Sequence, residues 1–285
     1  MSQITPQMVK TLREKTGAGM GDCKNALTEA NGEMEGAIEI LRKKGAATAA
    51  KRADRASNEG MIIARTSADG KIGIIVELNS ETDFVARNEA FEQHINTIAD
   101  AYLNSEASHH DDIMALKVGN DTILGLHNEI LAKFSERIEL RRYDKIKTEG
   151  YIAEYVHAGS KLAVLVEISA PNPNDTVKSM VRDITMQIAA MNPQYIERSQ
   201  VTAETIAKEI EIYKELAEKE GKKPDIAERI ATGRIEKFYQ ETCLMEQAFV
   251  KDSNKTIKDV VNEISKEMGT DVKINSFRRF FLGEV

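Results

Sequence analysis

The sequence contains no tryptophan and only two cysteines among its 285 residues. Cys23 and Cys243 are isolated from each other in the chain, which predicts two reduced thiols rather than a disulfide or a metal-binding pair. No apolar run approaches the roughly 18–20 residues that cross a bilayer. Residues 1–6 lack the charged and apolar regions of a secretory signal. We therefore expect a cytoplasmic protein with no membrane association.

Basic residues are also in deficit, with 39 lysines and arginines against 46 aspartates and glutamates. The resulting net charge of −7 argues against a general nucleic-acid binder, which needs a basic face. The chain is 41% hydrophobic and 30% charged, a composition typical of a helix-rich globular protein. It is long enough for two or three compact units with a buried core.

Residues 1–56 predict a small bundle of three helices. Thr5, followed by proline, is typical of a helix N-cap, and Gly17 should end the first helix. We expect Asp22 to cap the second helix and Gly45 to close the third. So small a bundle buries little surface and should depend on further contacts for stability.

Two features of this region favour plain structural roles. The alanine-rich, basic segment 43–55 predicts a linker or an exposed helix that joins the bundle to the rest of the chain. Glycines 17, 19 and 21 lie near Lys24, as in a phosphate-binding loop. Their spacing is not that of such a loop, and no strand precedes them. We therefore expect a turn between two helices.

The rest of the chain contains an internal repeat. Each copy has the pattern of a β-hairpin, then two helices, then a closing strand. The matched segments, first copy with second, are 59–78 with 149–168, 123–130 with 257–264, and 140–143 with 277–280. A helix is expected after each hairpin, at 90–102 in the first copy and at 177–191 in the second. The repeat predicts an α+β core made of small antiparallel sheets with helices on one face.

The second copy carries an insertion with a different pattern. Its apolar residues recur at helical spacing on both sides of a Gly-Lys-Lys-Pro break, which predicts an antiparallel helical hairpin. Its apolar seam either closes on itself or contacts a second copy of the chain as a homodimer, and both alternatives remain open. The expected domains are the bundle and linker at 1–56, the first repeat at 57–145, the second repeat at 146–200 and 241–285, and the hairpin at 201–240.

One aromatic residue is placed unusually. Residues 71–76 form the most strand-like run in the chain, and the strand should end in a short polar turn that presents Phe84 beside Asp83. Turns favour small and polar residues, so a phenylalanine there is unexpected. The second copy reaches the same point with residues 169–175, which contain no aromatic. The fold unit therefore does not require Phe84, and we expect Asp83 and Phe84 to serve another molecule.

Two long segments make the chain similar to a known family. Residues 12–27, LREKTGAGMGDCKNAL, and residues 77–87, ELNSETDFVAR, resemble the signature segments of the translation elongation factor Ts family. The resemblance covers essentially the whole chain. It implies an α+β fold that opens with a small three-helix (UBA-like) bundle. It also implies a non-enzymatic role in translation elongation, without a cofactor, as guanine nucleotide exchange factor for the GTPase elongation factor Tu.

The resemblance further implies which residues contact the GTPase. The element pushed in near the magnesium and nucleotide site, which would promote GDP release, would consist of Thr82, Asp83, Phe84 and Val85. The other implied contacts are Lys24, Arg52, His157 and Val250. Phe134-Ser135 departs from the Ile-Gly that members can have there. The C-terminal helix that some members add does not follow the last predicted strand.

Two other classes of function compete with this interpretation. An RNA- or ribosome-associated protein is suggested by residues 277–281, which interleave arginine and phenylalanine as stacking platforms do. The segment copies residues 140–143, however, so a half-buried strand also explains it. An enzyme or a metal site could use the cluster of residues 109–112, His-His-Asp-Asp. No pair of histidines one helical turn apart forms there, and we expect a solvated loop and no metal site.

Overall fold

The computed structural model describes residues 4–52, 54–134 and 136–284. Helices and small antiparallel sheets share the chain, which confirms the predicted α+β class. The α-helices are α1 (Pro6–Thr16), α2 (Met20–Glu29), α3 (Met34–Lys51), α4 (Asp83–Ala86), α5 (Glu89–Leu103), α6 (His110–Ala115), α7 (Ile123–Lys133), α8 (Asp175–Met191), α9 (Ala203–Lys219), α10 (Pro224–Thr242) and α11 (Ile257–Met268). The strands are β1 (Glu59–Thr66), β2 (Ile72–Ser80), β3 (Lys117–Val118), β4 (Asp121–Thr122), β5 (Ile138–Lys147), β6 (Tyr151–Val156), β7 (Leu162–Ile168), β8 (Ala248–Phe249), β9 (Asp252–Thr256) and β10 (Ile274–Phe281). Short 3-10 turns lie at Arg198–Gln200 and Leu244–Glu246.

The N-terminal bundle forms as its capping residues predict. The Thr5 hydroxyl accepts a hydrogen bond from the Met8 N–H at 3.2 Å, and α1 ends at Gly17, whose φ of +69° is left-handed. Leu12 and Leu27 are fully buried between α1, α2 and α3. These helices confirm the three-helix bundle.

Two expected helix boundaries in the bundle were wrong. Asp22 does not cap α2, which begins at Met20 with Gly19 as its N-cap; the Asp22 carboxylate forms an ion pair with Lys44. Gly45 does not close α3, which continues to Lys51. Glycine is required at 45 for another reason, because a Cβ there would lie 2.8 Å from the carbonyl oxygen of Asn128 in α7. The residue allows two helices to approach closely.

The bundle is docked on the first repeat through this contact between α3 and α7. Beside Gly45, the Arg42 guanidinium spans two carboxylates of the repeat. Its Nη2 lies 2.7 Å from Asp121 Oδ2, and its Nε lies 3.0 Å from Glu129 Oε1. The segment expected to be a linker or an exposed helix therefore begins as a helix, in which Lys43 and Lys44 are exposed and Gly45 is buried against α7.

The repeat appears as two three-stranded antiparallel sheets. In one the strand order is β1-β2-β5, and in the other it is β6-β7-β10, so each hairpin pairs with its closing strand. Along β2, Ile74, Val76 and Leu78 face the helices of the first repeat. The alternate residue Ile75 faces the second sheet, where it meets an apolar cluster that includes Leu165. The layers are therefore helices, sheet, sheet and helices.

The insertion forms the helical hairpin that its pattern predicts, with α9 and α10 joined through Gly221 at φ +82°. Its seam closes on itself, since the side chains buried along it are Ala217, Ala227, Ala231, Ile235 and Phe238. Ile212, Leu216 and Ile226 remain exposed. Contact with a second chain stays a prediction, as do the domain limits.

Other expectations concern the cysteines and membrane association. Cys23 and Cys243 are free and buried, and burial raises the pKa of both thiols. In the part of the chain that the structure describes, no helix combines the length and the apolar character needed to cross a membrane.

Two histidines are buried against each other between α5 and α7. His94 Nε2 lies 3.0 Å from His127 Nδ1, and His127 Nε2 lies 3.2 Å from the carbonyl oxygen of Ile138. Neutral rings satisfy this arrangement when His127 Nε2–H donates to the carbonyl and His94 Nε2–H donates to His127. Burial lowers the pKa of His94 to about 3 and that of His127 to about 4.

We expect this pair to make the fold sensitive to acid. Below about pH 6.5 the unfolded chain binds protons on these imidazoles while the folded chain excludes them, so the free energy of unfolding falls as pH falls toward about 4. The loss at about pH 5 is at most about 2 kcal/mol per histidine. Urea unfolding at about pH 7.5 and pH 5 measures it. The variant His94→Gln/His127→Gln should lose less stability on acidification, and an equal loss would contradict the assignment.

We expect Gly45→Ala to loosen the docking of the bundle. Alanine favours a helix over glycine by about 1 kcal/mol, but its methyl group would press on a backbone carbonyl of α7. Gly233→Ala is the matched control, because Gly233 also lies inside a helix and has open space around its Cβ position. Thermal unfolding should show a lower melting temperature for the first variant and a higher one for the second. Equal increases would show that the close approach is not required.

Candidate functional site

The stretch of residues 77–87 ends in a short helix rather than in the polar turn expected from the sequence. After β2, Thr82 takes extended backbone angles, and its Oγ1 accepts the Val85 N–H at 3.5 Å. This is the N-cap arrangement that threonine favours, and Asp83 occupies the first turn, where a negative charge is stabilising. The result is the single turn α4.

The two sides of α4 have opposite environments. Val85 is 8% exposed and packs with Ala86 into the core of the first repeat. Phe84 is 84% exposed, whereas the next most exposed large apolar side chain in the described residues reaches 49%. Burial of one side fixes α4, and the same fixed geometry keeps Phe84 in solvent. Phe84 therefore does not pack under its own turn, and its expected role toward another molecule stays a prediction.

The Asp83 carboxylate forms an ion pair with Arg87, which directly follows α4. Its Oδ2 lies 3.1 Å from Arg87 Nη2, an exposed pair one turn apart. A single carboxylate cannot hold a magnesium ion. Asp83 is therefore suited to polar contact at the base of Phe84.

A residue that the sequence reasoning missed holds the start of α4. Glu136, in the loop before β5, accepts hydrogen bonds from the Thr82 N–H at 2.9 Å and from the Thr82 hydroxyl at 2.6 Å. No local pattern pointed to Glu136. Only the pairing of Ser80 with Ile138 in the sheet brings its loop beside α4.

Two residues of the predicted contact set belong to the N-terminal bundle. Lys24 is exposed on α2. Arg52 follows the end of α3 and is half-buried, and its carbonyl oxygen accepts the Arg55 N–H at 2.9 Å. Both belong to the part of the molecule that docks on the first repeat through α3.

His157 lies in the turn between β6 and β7 and is exposed. Its Nδ1 is 2.7 Å from the hydroxyl of Tyr155, and its backbone N–H donates to the Leu162 carbonyl at 2.9 Å. The ring is thereby oriented at the tip of the second hairpin.

Val250 is also exposed, at the turn between β8 and β9. Its N–H donates to Gln187 Oε1 at 2.8 Å, and Gln187 Nε2 donates to the Ala248 carbonyl at 3.1 Å. Gln187 is completely buried on α8. This amide, which the sequence reasoning also missed, supports the turn because a buried amide must be hydrogen-bonded.

The structure thus brings Thr82, Asp83, Phe84 and Val85 together on one turn. The remaining predicted contacts lie on three other parts of the fold. The predicted contacts are therefore spread over separate elements and do not line one closed pocket. Phe134 packs against the core of the first repeat, while Ser135 lies outside the described residues.

The cluster at residues 109–112 is exposed to solvent, as expected, but it begins a helix and is not a loop. His109 caps α6 and the following three residues form its first turn. His110 Nδ1 lies 3.2 Å from Asp111 Oδ1. Within residues 4–52, 54–134 and 136–284, no three histidine, cysteine or acidic side chains are grouped to hold a metal ion.

The arginines of residues 277–281 are engaged within the chain. Arg278 forms an ion pair with Asp144, and Arg279 Nη1 lies 2.9 Å from Glu284 Oε2. Two of the three phenylalanine rings in this segment pack against apolar cores. The segment is the closing strand β10, and nothing in its contacts favours RNA.

Comparison with known proteins gives a consistent result. A family described as "Elongation factor TS" matches residues 81–284. The chain is 46% identical to elongation factor Ts of Chloroherpeton thalassium over 289 residues, covering 100% of both chains. It is 44% identical to elongation factor Ts of Prosthecochloris aestuarii over 99% of this chain and 100% of the relative. It is 43% identical to that of Clostridioides difficile over 100% of this chain and 94% of the relative.

Proposed function

The chain belongs to the elongation factor Ts family, and from this we propose that it is a guanine nucleotide exchange factor for elongation factor Tu. The observation that carries the proposal is Phe84, an apolar ring left in solvent on a turn that is otherwise packed and capped. An exposed large apolar side chain held rigidly is suited to fill a pocket on a partner.

We assign distinct roles to the four residues of the α4 element. Phe84 and Asp83 face outward and would enter the GTPase near its magnesium and nucleotide site. Thr82 and Val85 would act from within this chain, because one caps α4 and the other packs beneath it. The element would bind the GDP form, promote GDP release, and stabilise the nucleotide-free GTPase until GTP binds.

The proposed activity requires no bond to be broken. The factor must bind the nucleotide-free GTPase more tightly than the nucleotide-bound form, and this coupling is reciprocal, so returning nucleotide weakens the factor. Burial of a phenylalanine side chain contributes about 1.5–3 kcal/mol. If the pocket for Phe84 exists only in the nucleotide-free state, that energy shifts the equilibrium by roughly ten- to hundredfold.

Magnesium is the second element of the proposed mechanism. The ion belongs to the GTPase, where it neutralises the phosphates of the bound nucleotide, so its displacement weakens nucleotide binding. Asp83 already faces Arg87 and would serve as a polar anchor at the rim of the inserted ring.

The further contacts would set affinity. Other faces of the GTPase would be contacted by Lys24 and Arg52 on the bundle and by His157 and Val250 on the second repeat. When several contacts belong to one rigid body, their binding energies add, because the entropy of association is lost only once. The docking of α3 on α7 would fix the spacing between the bundle contacts and Phe84.

We expect Phe84→Ala to keep the fold and to slow GDP release from the GTPase by roughly ten- to hundredfold. The substitution removes an exposed side chain, so stability should change by less than about 0.5 kcal/mol. Stopped-flow release of a fluorescent GDP, at matched factor concentrations, measures the rate. Phe281→Ala, which removes another exposed phenylalanine, is the control and should release GDP at the normal rate. An unchanged rate with Phe84→Ala would refute the proposed role of Phe84 in GDP release.

We expect Lys24→Ala to weaken the complex while leaving the chain stable. Removing one charge at the edge of an interface should cost about 1 kcal/mol, roughly a fivefold loss of affinity, and the loss should shrink at high salt. Isothermal calorimetry with the nucleotide-free GTPase measures it. Lys10→Ala is the matched control, since Lys10 is an exposed lysine on α1 that pairs with Glu14. Equal affinities for the two variants would count against Lys24 as a contact.

A further inference from the structure

Two loops of the first repeat exchange carboxylates. Glu136 accepts the backbone N–H and the hydroxyl of Thr82. In return, Glu81 Oε1 accepts the backbone N–H of Arg137 at 2.6 Å. Each glutamate thus accepts hydrogen bonds from the residue that comes directly after the other glutamate in the chain. Hydrogen bonds to a carboxylate are stronger than those between neutral groups.

The contact with Glu136 orients the Thr82 hydroxyl, which caps α4. The Thr82 hydroxyl hydrogen points to Glu136, so the oxygen keeps its lone pairs for the Val85 N–H. A helix of one turn has too few internal hydrogen bonds to persist alone. Its order depends on the burial of Val85 below and on Glu136 at its start.

The second repeat has no such exchange. Pro171 stands at the position of Glu81, and the strand pairing places Thr270 at that of Glu136. The sheet of the second repeat closes at Ser169 and Lys273, the counterparts of Asn79 and Glu139. The Ser169 N–H donates to the Lys273 carbonyl at 2.9 Å, and the Lys273 N–H donates to Ser169 Oγ at 3.0 Å. The two sheets therefore do not need the glutamates to close. The carboxylates occur in the copy that also carries Phe84.

We propose that Glu136 is a positioning residue for nucleotide exchange, which holds Thr82 and thereby orients Phe84 before the GTPase is met. Glu136 acts through α4 and makes no contact with the nucleotide site. Without Glu136, α4 would become ordered only when Phe84 enters its pocket on the GTPase. The entropy lost in that ordering would raise the free energy of insertion. The inference rests on the function proposed above.

A double-mutant cycle tests the inference. Four chains are compared by stopped-flow GDP release at saturating factor: the natural chain, Glu136→Ala, Phe84→Ala and the double variant. We expect Glu136→Ala to slow release severalfold in the natural background. In the Phe84→Ala background it should change the rate by less than about twofold, because its effect passes through that ring. Equal fold-changes in both backgrounds would overturn the proposal, since they would mean that Glu136 acts independently of Phe84.

A conservative variant separates positioning from general destabilisation. Glu136→Gln can still accept the Thr82 N–H through its amide oxygen and donate its amide N–H to the Thr82 oxygen. It should therefore restore most of the rate lost in Glu136→Ala. A rate as slow as that of Glu136→Ala would contradict the assigned geometry. Glu236→Ala, which removes an exposed glutamate paired with Arg198 on the hairpin, is the control and should leave the rate unchanged.

The outcomes distinguish this inference from the proposed function. If Phe84→Ala does not slow release, the proposed function fails whatever Glu136 does. If Phe84→Ala slows release and Glu136→Ala does not, the role of Glu136 alone is refuted.

Discussion

The contact of Glu136 with Thr82 is the constraint on which the candidate site depends. It fixes the first residue of α4, while Val85 and Ala86 are packed into the core beneath. With both ends of the turn held, Phe84 stays in solvent, and the chain forgoes about 1.5–3 kcal/mol of apolar burial. Such an exposed ring is kept at a cost to stability, and a partner that buries the ring recovers that energy.

Other predicted contact residues are also held in place by neighbouring residues of the chain. Val250 is presented on a turn that the buried Gln187 supports, and His157 is oriented by Tyr155. The bundle that carries Lys24 is docked by Arg42 and by the close approach at Gly45. Of the predicted contact residues, Lys24, His157 and Val250 are exposed, and the residues that support them are buried, ion-paired or hydrogen-bonded. A rigid arrangement of separate contacts suits the proposed mechanism, in which the factor distinguishes two conformations of the GTPase.

The sequence predicted what depends on local pattern and on repetition. Thr5 and Gly17 bound α1 as their capping preferences require, and the repeat predicted both sheets with their helices. It failed where tertiary contact decides. Gly45 has the pattern of a helix end, yet it serves a close helix contact. Glu136 was missed because only the pairing of β2 with β5 brings it to Thr82. The isolation of Phe84 was visible because the second repeat supplied a comparison.

The most direct test of the central claim is a single fluorescent reporter at position 84. The chain contains no tryptophan, so the variant Phe84→Trp adds a signal that is compared with the natural chain in the same complex. Acrylamide quenching of this tryptophan should be strong in the free factor, fall sharply when the nucleotide-free GTPase binds, and return when GDP is added. Equal quenching in the free and bound factor, with the complex formed, would contradict the claim that residue 84 enters the partner.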